Sequence, residues 1–166
     1  MLGRGFDLTN KTNMDLVWPI ISNRESIAVN EAWVGDAGTL LKYSKGPRVQ
    51  VPNCPHTGCP SPKCKPLPPG TPDSCHYPKW MIWKKEVAKG KVALLLINND
   101  NGPQDISVAW SDLPKGILKC PPTGCTVRDI YTHKDLAPSS TGYTAKGLAT
   151  HDSAFLMVTG SNVGDR

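Results

Sequence analysis

The sequence predicts a mainly β protein. It is an antiparallel β-sandwich, Greek-key-like, preceded by one strand-helix unit without sister units. Three observations carry this. Short alternating or continuous apolar runs recur from residue 39 to the C-terminal end, with turn signals between them. The 16 Pro and 15 Gly in 166 residues leave few stretches long enough for a helix. Helical apolar spacing occurs once, near the N-terminus, directly after a short strand.

The N-terminal unit, residues 1–34, opens with a strand at residues 2–8. The spacing predicts a helix over residues 12–22, with Asn10 or Thr12 capping its orphan amides. Met14, Val17, Trp18 and Ile21 form one apolar face. Pro19 lies inside this pattern and should kink or restart the helix. Asn23 caps a second turn over residues 24–29. Trp18 and Trp33 are expected to fill the joint with the following domain. Residues 35–38, Gly-Asp-Ala-Gly, mark the boundary. A parallel strand with its crossover helix needs sister units on both sides. This unit has none in the chain. The strand at 2–8 therefore calls for a missing portion of its own fold or another protein subunit to pair with it, since an open edge invites association.

The sandwich, residues 35–166, takes its strands from eight stretches: 39–43, 48–51, 80–84, 91–98, 105–110, 127–131, 142–146 and 154–158. Residues 92–97 are a continuous apolar run, suited to a central strand. Ile106, Val108 and Trp110 alternate and form one buried face. An insert at 52–78 breaks the rhythm. It is rich in Pro, holds four of the six Cys, and has almost no large apolar residues. It reads as a stapled loop without its own core.

Composition excludes several classes. With 39% apolar residues the chain should fold. The +5 charge is scattered and not interleaved with exposed aromatics, so no nucleic-acid partner is expected. No apolar stretch approaches the roughly 20 residues of a membrane span. The N-terminal residues lack the apolar core of a signal peptide. No phosphate loop is present: Gly3-Arg4-Gly5 is too short. No cofactor is called for.

The six cysteines allow two chemistries. Cys54, Cys59, Cys64 and Cys75, with His56 and His76 nearby, have the residue types of a zinc site. Their spacing does not match paired knuckles. An even count in a Pro-rich loop fits disulfides, so no metal site is assigned. Cys120 and Cys125 form the easiest local bridge, and the other four can pair in three ways. Disulfides favour an oxidising compartment: secreted, lumenal, or lysosome- or vacuole-like. Asn10-Lys11-Thr12 is a glycosylation sequon, usable only in a secretory compartment.

Two blocks carry a family resemblance. The first is Gly5-Phe6-Asp7-Leu8-Thr9, Met14-Asp15-Leu16, and the run from Ile20 through Asn23, Glu25 and Ala28-Val29-Asn30. The second is Trp83, Gly90-Lys91-Val92-Ala93, Leu95-Leu96-Ile97-Asn98, Trp110-Ser111-Asp112-Leu113, Val127-Arg128-Asp129-Ile130-Tyr131 and His151-Asp152-Ser153. In this order they resemble the family 27 glycoside hydrolases, the α-galactosidase (melibiase) group. The resemblance spans nearly the whole chain except the insert. Glu31, Thr150 and the Cys-rich insert depart from the pattern. The resemblance implies that the N-terminal unit is the last strand and helix of an incomplete (β/α)8 barrel, with the missing barrel portion as its partner, followed by a β-sandwich that packs on the barrel.

It also implies where the chemistry lies. Retaining glycosidases use two carboxyl groups about 5 Å apart. In this family both are aspartates on earlier barrel strands, which would precede Met1. No catalytic residue is therefore assigned. Lys42-Tyr43-Ser44 mimics the nucleophile motif, but Ser44 replaces the carboxylate. Arg128-Asp129 falls in a sandwich strand, where an ion pair or strand-end hydrogen bond is expected. Asp7 ends the barrel-type strand and is the one carboxylate placed to edge a complete site, although a cap or turn role leads. Trp80 is the candidate exposed platform for a sugar or an interface, with core or edge packing ahead of it; Trp83 and Trp110 are expected in the core. His151-Asp152-Ser153 reads as the turn before the last strand.

Two functions follow. The chain is the C-terminal region of an α-galactosidase-like hydrolase, inactive alone, with galactosides as the enzyme's substrates. Alternatively it is a complete, non-catalytic accessory subunit of a larger assembly, or a carbohydrate-binding module.

Overall fold

The computed structural model describes residues 9–50 and 76–161. The strand expected at 2–8, Asp7, most of the insert and its cysteines Cys54, Cys59, Cys64 and Cys75 lie outside the described residues.

Two helices come first: α1 (Lys11–Ile21) and α2 (Arg24–Glu31). Each begins on an asparagine whose side-chain oxygen accepts two backbone amides. Asn10 accepts from Thr12 and Asn13, and Asn23 from Glu25 and Ser26. Pro19 does not restart α1, which runs through it to Ile21. The proline lacks only its own N–H, and Ser22 closes the end by donating its N–H to the Trp18 carbonyl at 2.9 Å.

The strands are β1 (Thr39–Tyr43), β2 (Val49–Gln50), β3 (His76–Tyr77), β4 (Trp80–Ala88), β5 (Lys91–Asn98), β6 (Gln104–Ala109), β7 (Cys125–Asp129), β8 (Lys134–Ser139), β9 (Gly142–Leu148) and β10 (Ser153–Thr159). Six form one sheet in the order β1-β4-β5-β10-β7-β8; β6 pairs with β9, and β2 with β3. Every pairing is antiparallel. β10 returns beside β7 after β8 and β9, a Greek-key path folded across the two sheets.

The alternation of β5 explains the sandwich. Val92, Leu94 and Leu96 face inward, joined by Ile82, Val127, Leu156 and Val158 from neighbouring strands. Ile106, Val108 and Ala145 of the β6–β9 pair close this core from the other side. Ala93 points to the opposite face, where it meets Val29 of α2 and Ile130. A strand buried on both faces has no polar side to show, and so its sequence is a continuous apolar run.

Asn98 ends β5 fully buried. Its Nδ2 lies 2.9 Å from the carbonyls of Gly102, Leu148 and Ala149, and its Oδ1 accepts the Asp100 amide at 2.9 Å. One side chain thus ties the β5–β6 turn to the β9–β10 turn.

Cys120 and Cys125 are bridged. The turn between them needs Gly124, whose φ is +94°. A Cβ there would lie 2.9 Å from the Ser139 backbone. Closing so short a loop restricts the unfolded chain by about 2 kcal/mol. The Cys120→Ala/Cys125→Ala variant should therefore unfold at lower urea with an unchanged slope. An unaltered midpoint counts against a stabilising bridge.

Several sequence expectations change. Trp18 and Trp33 do not fill a joint: they are 56% and 71% exposed, beside exposed Ile20, Ile21, Ile27 and Val34. Of the expected face of α1, Val17 is the buried member, while Trp18 and Ile21 lie outward. Trp83 is not core either, because its position in β4 points to the helix-side face. Trp110 is partly buried against the core and donates Nε1–H to the Ser139 carbonyl at 2.9 Å. β8 was not expected from the sequence. It is an edge strand, Lys-Asp-Leu-Ala-Pro-Ser, with only Leu136 packed on the core, and an edge tolerates a proline.

Candidate functional site

The polar junction between α2 and the large sheet is the densest charged cluster described. Val127 of β7 faces the core, so Arg128 faces the helices. Asn23 caps α2 and donates Nδ2–H to the Ile130 carbonyl at 2.9 Å, which fixes the helix start over β7. Glu25 then falls in the first turn of α2, where the helix dipole favours an anion. Arg128 grips it with two parallel bonds, Nε to Oε2 at 2.9 Å and Nη2 to Oε1 at 2.8 Å. Its third nitrogen, Nη1, reaches Asp135 Oδ1 on β8 at 3.0 Å. His133, held at φ +57° in the β7–β8 turn, places Nδ1 2.8 Å from Glu25 Oε1.

The electrostatics follow. The Arg128 hydrogen bonds, helped by His133 and opposed by partial burial, lower Glu25 to about 2. Arg128 is raised by the bonds to Glu25 and Asp135. A carboxyl so fixed holds no proton near neutrality and cannot serve as a general acid there.

The same holds elsewhere. Asp36 is lowered by Lys84, Asp100 by Lys79 and Asp112 by Lys42, each through a side-chain hydrogen bond first. Asp129 accepts the Tyr131 and Thr132 amides, Asp105 the Gly147 amide and Asp152 the Ser153 amide. These carboxylates are tied to cations or to backbone. Among the described residues no three His, Cys, Asp or Glu side chains converge to hold a metal.

Glu25 makes a testable link to pH. Its acidity is greater folded than unfolded, so its contribution is present above the ordinary value of 4.5 and is lost as pH falls toward about 2. After allowance for solvent screening this amounts to about 1–2 kcal/mol. Glu25→Gln should cost that much at neutral pH and flatten the acid limb of stability between pH 4.5 and 2. Parallel acid limbs for both proteins would remove the pair from the account.

Beside this junction lies an open groove of about 460 Å³, lined among others by Ser26, Val29, Trp83, Lys85, Leu95 and Phe155. Its walls are mostly apolar. Lys85 Nζ is engaged with the Asn30 carbonyl at 3.0 Å.

Of the residues singled out from sequence, Trp80 is partly buried and packs against the core. Asn10 is exposed. Lys42 pairs with Asp112 at 2.9 Å, on a sheet edge remote in kind from a nucleophile motif. Arg128 is an ion-pair residue, as its strand position suggests, though its main partner is Glu25 and not its neighbour Asp129. His151 and Asp152 form the turn before β10. The roles of Glu25, His133 and Asn98 were not read from sequence. An acidic residue two positions after a capping asparagine was the available signal for Glu25.

Residues 78–158 match the family model of the α-galactosidase C-terminal β-sandwich domain. Over these residues the chain is similar to the α-galactosidase C-terminal sandwich. A curated relative is the "Probable alpha-galactosidase B" of Talaromyces emersonii, 29% identical over 126 residues, covering 73% of this chain and 26% of that protein. The chain thus spans about a quarter of the length of this α-galactosidase relative. Among solved structures, α-galactosidase I from Mortierella vinacea shares the fold over 94% of this chain and 30% of its own, with a TM-score of 0.60 at 16% identity. The isomalto-dextranase of Arthrobacter globiformis T6 does so over 92% and 20%, with a TM-score of 0.53 at 20% identity. Among the described residues no helix is long and apolar enough to cross a membrane.

Proposed function

We propose that this chain acts as the non-catalytic C-terminal part of an α-galactosidase-type retaining glycoside hydrolase in a secreted or lysosome-like compartment. It stabilises the enzyme and does not itself cleave the sugar. The observation that carries this is the set of ion pairs that hold four carboxylates among the described residues. Glu25, Asp36, Asp100 and Asp112 are all held below the ordinary carboxylate range by a cation. A retaining site needs one carboxyl that keeps its proton beside one that does not.

The exposed apolar residues of the helical face support a role as a docking part. Trp18, Ile20, Ile21, Ile27, Trp33 and Val34 are costly to leave in water and suit the surface of a catalytic domain. The Cys120–Cys125 bridge supports the compartment.

The test is turnover of a chromogenic α-galactoside by the purified 166-residue chain. No release above the blank is expected. Steady release that scales with chain concentration would overturn the reading.

A carbohydrate-binding role has one observation in its favour: Trp83, 39% exposed, stands in the groove beside α2. Titration with galactose, read by tryptophan fluorescence in wild type and Trp83→Ala, separates the two. A saturable change lost in the variant would favour the binding module.

A further inference from the structure

We infer that Asn10 is an N-glycosylation site whose glycan hangs on the cap of α1 without loosening it. The sequon Asn10-Lys11-Thr12 supplies the acceptor amide and the hydroxyl two residues on. Three structural observations go beyond the motif. Asn10 and Thr12 are both exposed. Both side-chain hydrogen bonds of Asn10 run through Oδ1, which accepts the Thr12 amide at 2.9 Å and the Asn13 amide at 3.4 Å. The nitrogen, Nδ2, is the atom a glycan uses. And the Cys120–Cys125 bridge belongs to the compartment where the modification is made.

The chemistry leaves the cap intact. A lipid-linked oligosaccharide diphosphate is the donor. A bond forms between the sugar's anomeric carbon and Nδ2, the bond from that carbon to the diphosphate oxygen breaks, and Nδ2 loses one proton. The lipid diphosphate departs. Nδ2 becomes a secondary amide, while Oδ1 keeps its lone pairs for Thr12 and Asn13. A helix cap is thus compatible with a carbohydrate on the same side chain.

The test is translation of the full chain behind a cleavable leader in the presence of endoplasmic-reticulum microsomes. Protease-protected chains are then read by gel shift and by peptide mass. Wild type and Thr12→Ser should show one added glycan, removed by peptide N-glycosidase with Asp left at position 10. Thr12→Ala and Asn10→Asp should show none. Both variants keep an acceptor at the cap, so their thermal midpoints should match the deglycosylated wild type within a degree or so. Protected wild-type chain with the Cys120–Cys125 bridge formed and an unmodified Asn10 peptide would overturn the site. A glycan that persists in Thr12→Ala would overturn it as well. Because transfer occurs on the nascent chain, the readout does not depend on any variant folding.

Discussion

Asn98→Leu is expected to cost about 3–5 kcal/mol of unfolding free energy. The isosteric apolar side chain removes every bond of a fully buried hub. The carbonyls of Gly102, Leu148 and Ala149 and the amide of Asp100 lose their partner at once. A buried orphan of this kind costs about 1–3 kcal/mol, and some of the four regain water at the turn ends, which sets the range. Asn98→Asp tests the same hub with a side chain that still accepts the Asp100 amide. It presents a carboxylate to three carbonyl oxygens and should be no better than leucine. Urea unfolding of both variants against wild type measures the effect. A loss below about 1 kcal/mol would mean that the two turns are held independently of Asn98.

The second large effect is expected for Leu94→Ala. Leu94 is fully buried on the sandwich-facing side of β5, opposite Leu156 in register and closed in by the β6–β9 pair. Truncation in such a site removes transfer free energy and leaves a cavity, together about 2–5 kcal/mol. The upper part of the range is expected, because neither sheet can move inward without breaking its hydrogen-bond ladder. Leu40→Ala is the internal control. It lies on β1, the sheet edge, with its side chain 42% exposed, and should change stability by no more than about 1 kcal/mol. Equal losses at the two positions would place the core elsewhere.

The strands with strong local signals were legible in the sequence. β1 and β5 have the expected bounds, because turn residues flank runs whose alternation or continuity suits one kind of burial. Asn23 was legible as a cap, since an asparagine before a helical run has a single obvious use. β8 was not legible. An edge strand with one buried side chain has almost no hydrophobic period to detect. The tryptophans misled in the same way from the other side. Trp18, Trp33 and Trp83 have the most apolar side chains in their segments, and burial was assigned to them on that ground. Burial depends on which face a neighbour covers, and in the fold all three stay exposed.

The sequence by itself determined the class of fold, the order of most of its elements and the family that its motifs resemble. These rest on local periodicity, turn chemistry and the order of short motifs, all properties of neighbouring residues. Only the tertiary structure decided what the polar residues do. Glu25 and Arg128 are 103 positions apart, and Asn98 meets carbonyls 50 and 51 positions away. The strand order β1-β4-β5-β10-β7-β8 brings such pairs together through ladder bonds and burial. A charge or an amide carries no local mark of its distant partner. The folded sheet supplies that partner, and so turns the carboxylates that a sequence reader would weigh for catalysis into the ties that hold the domain.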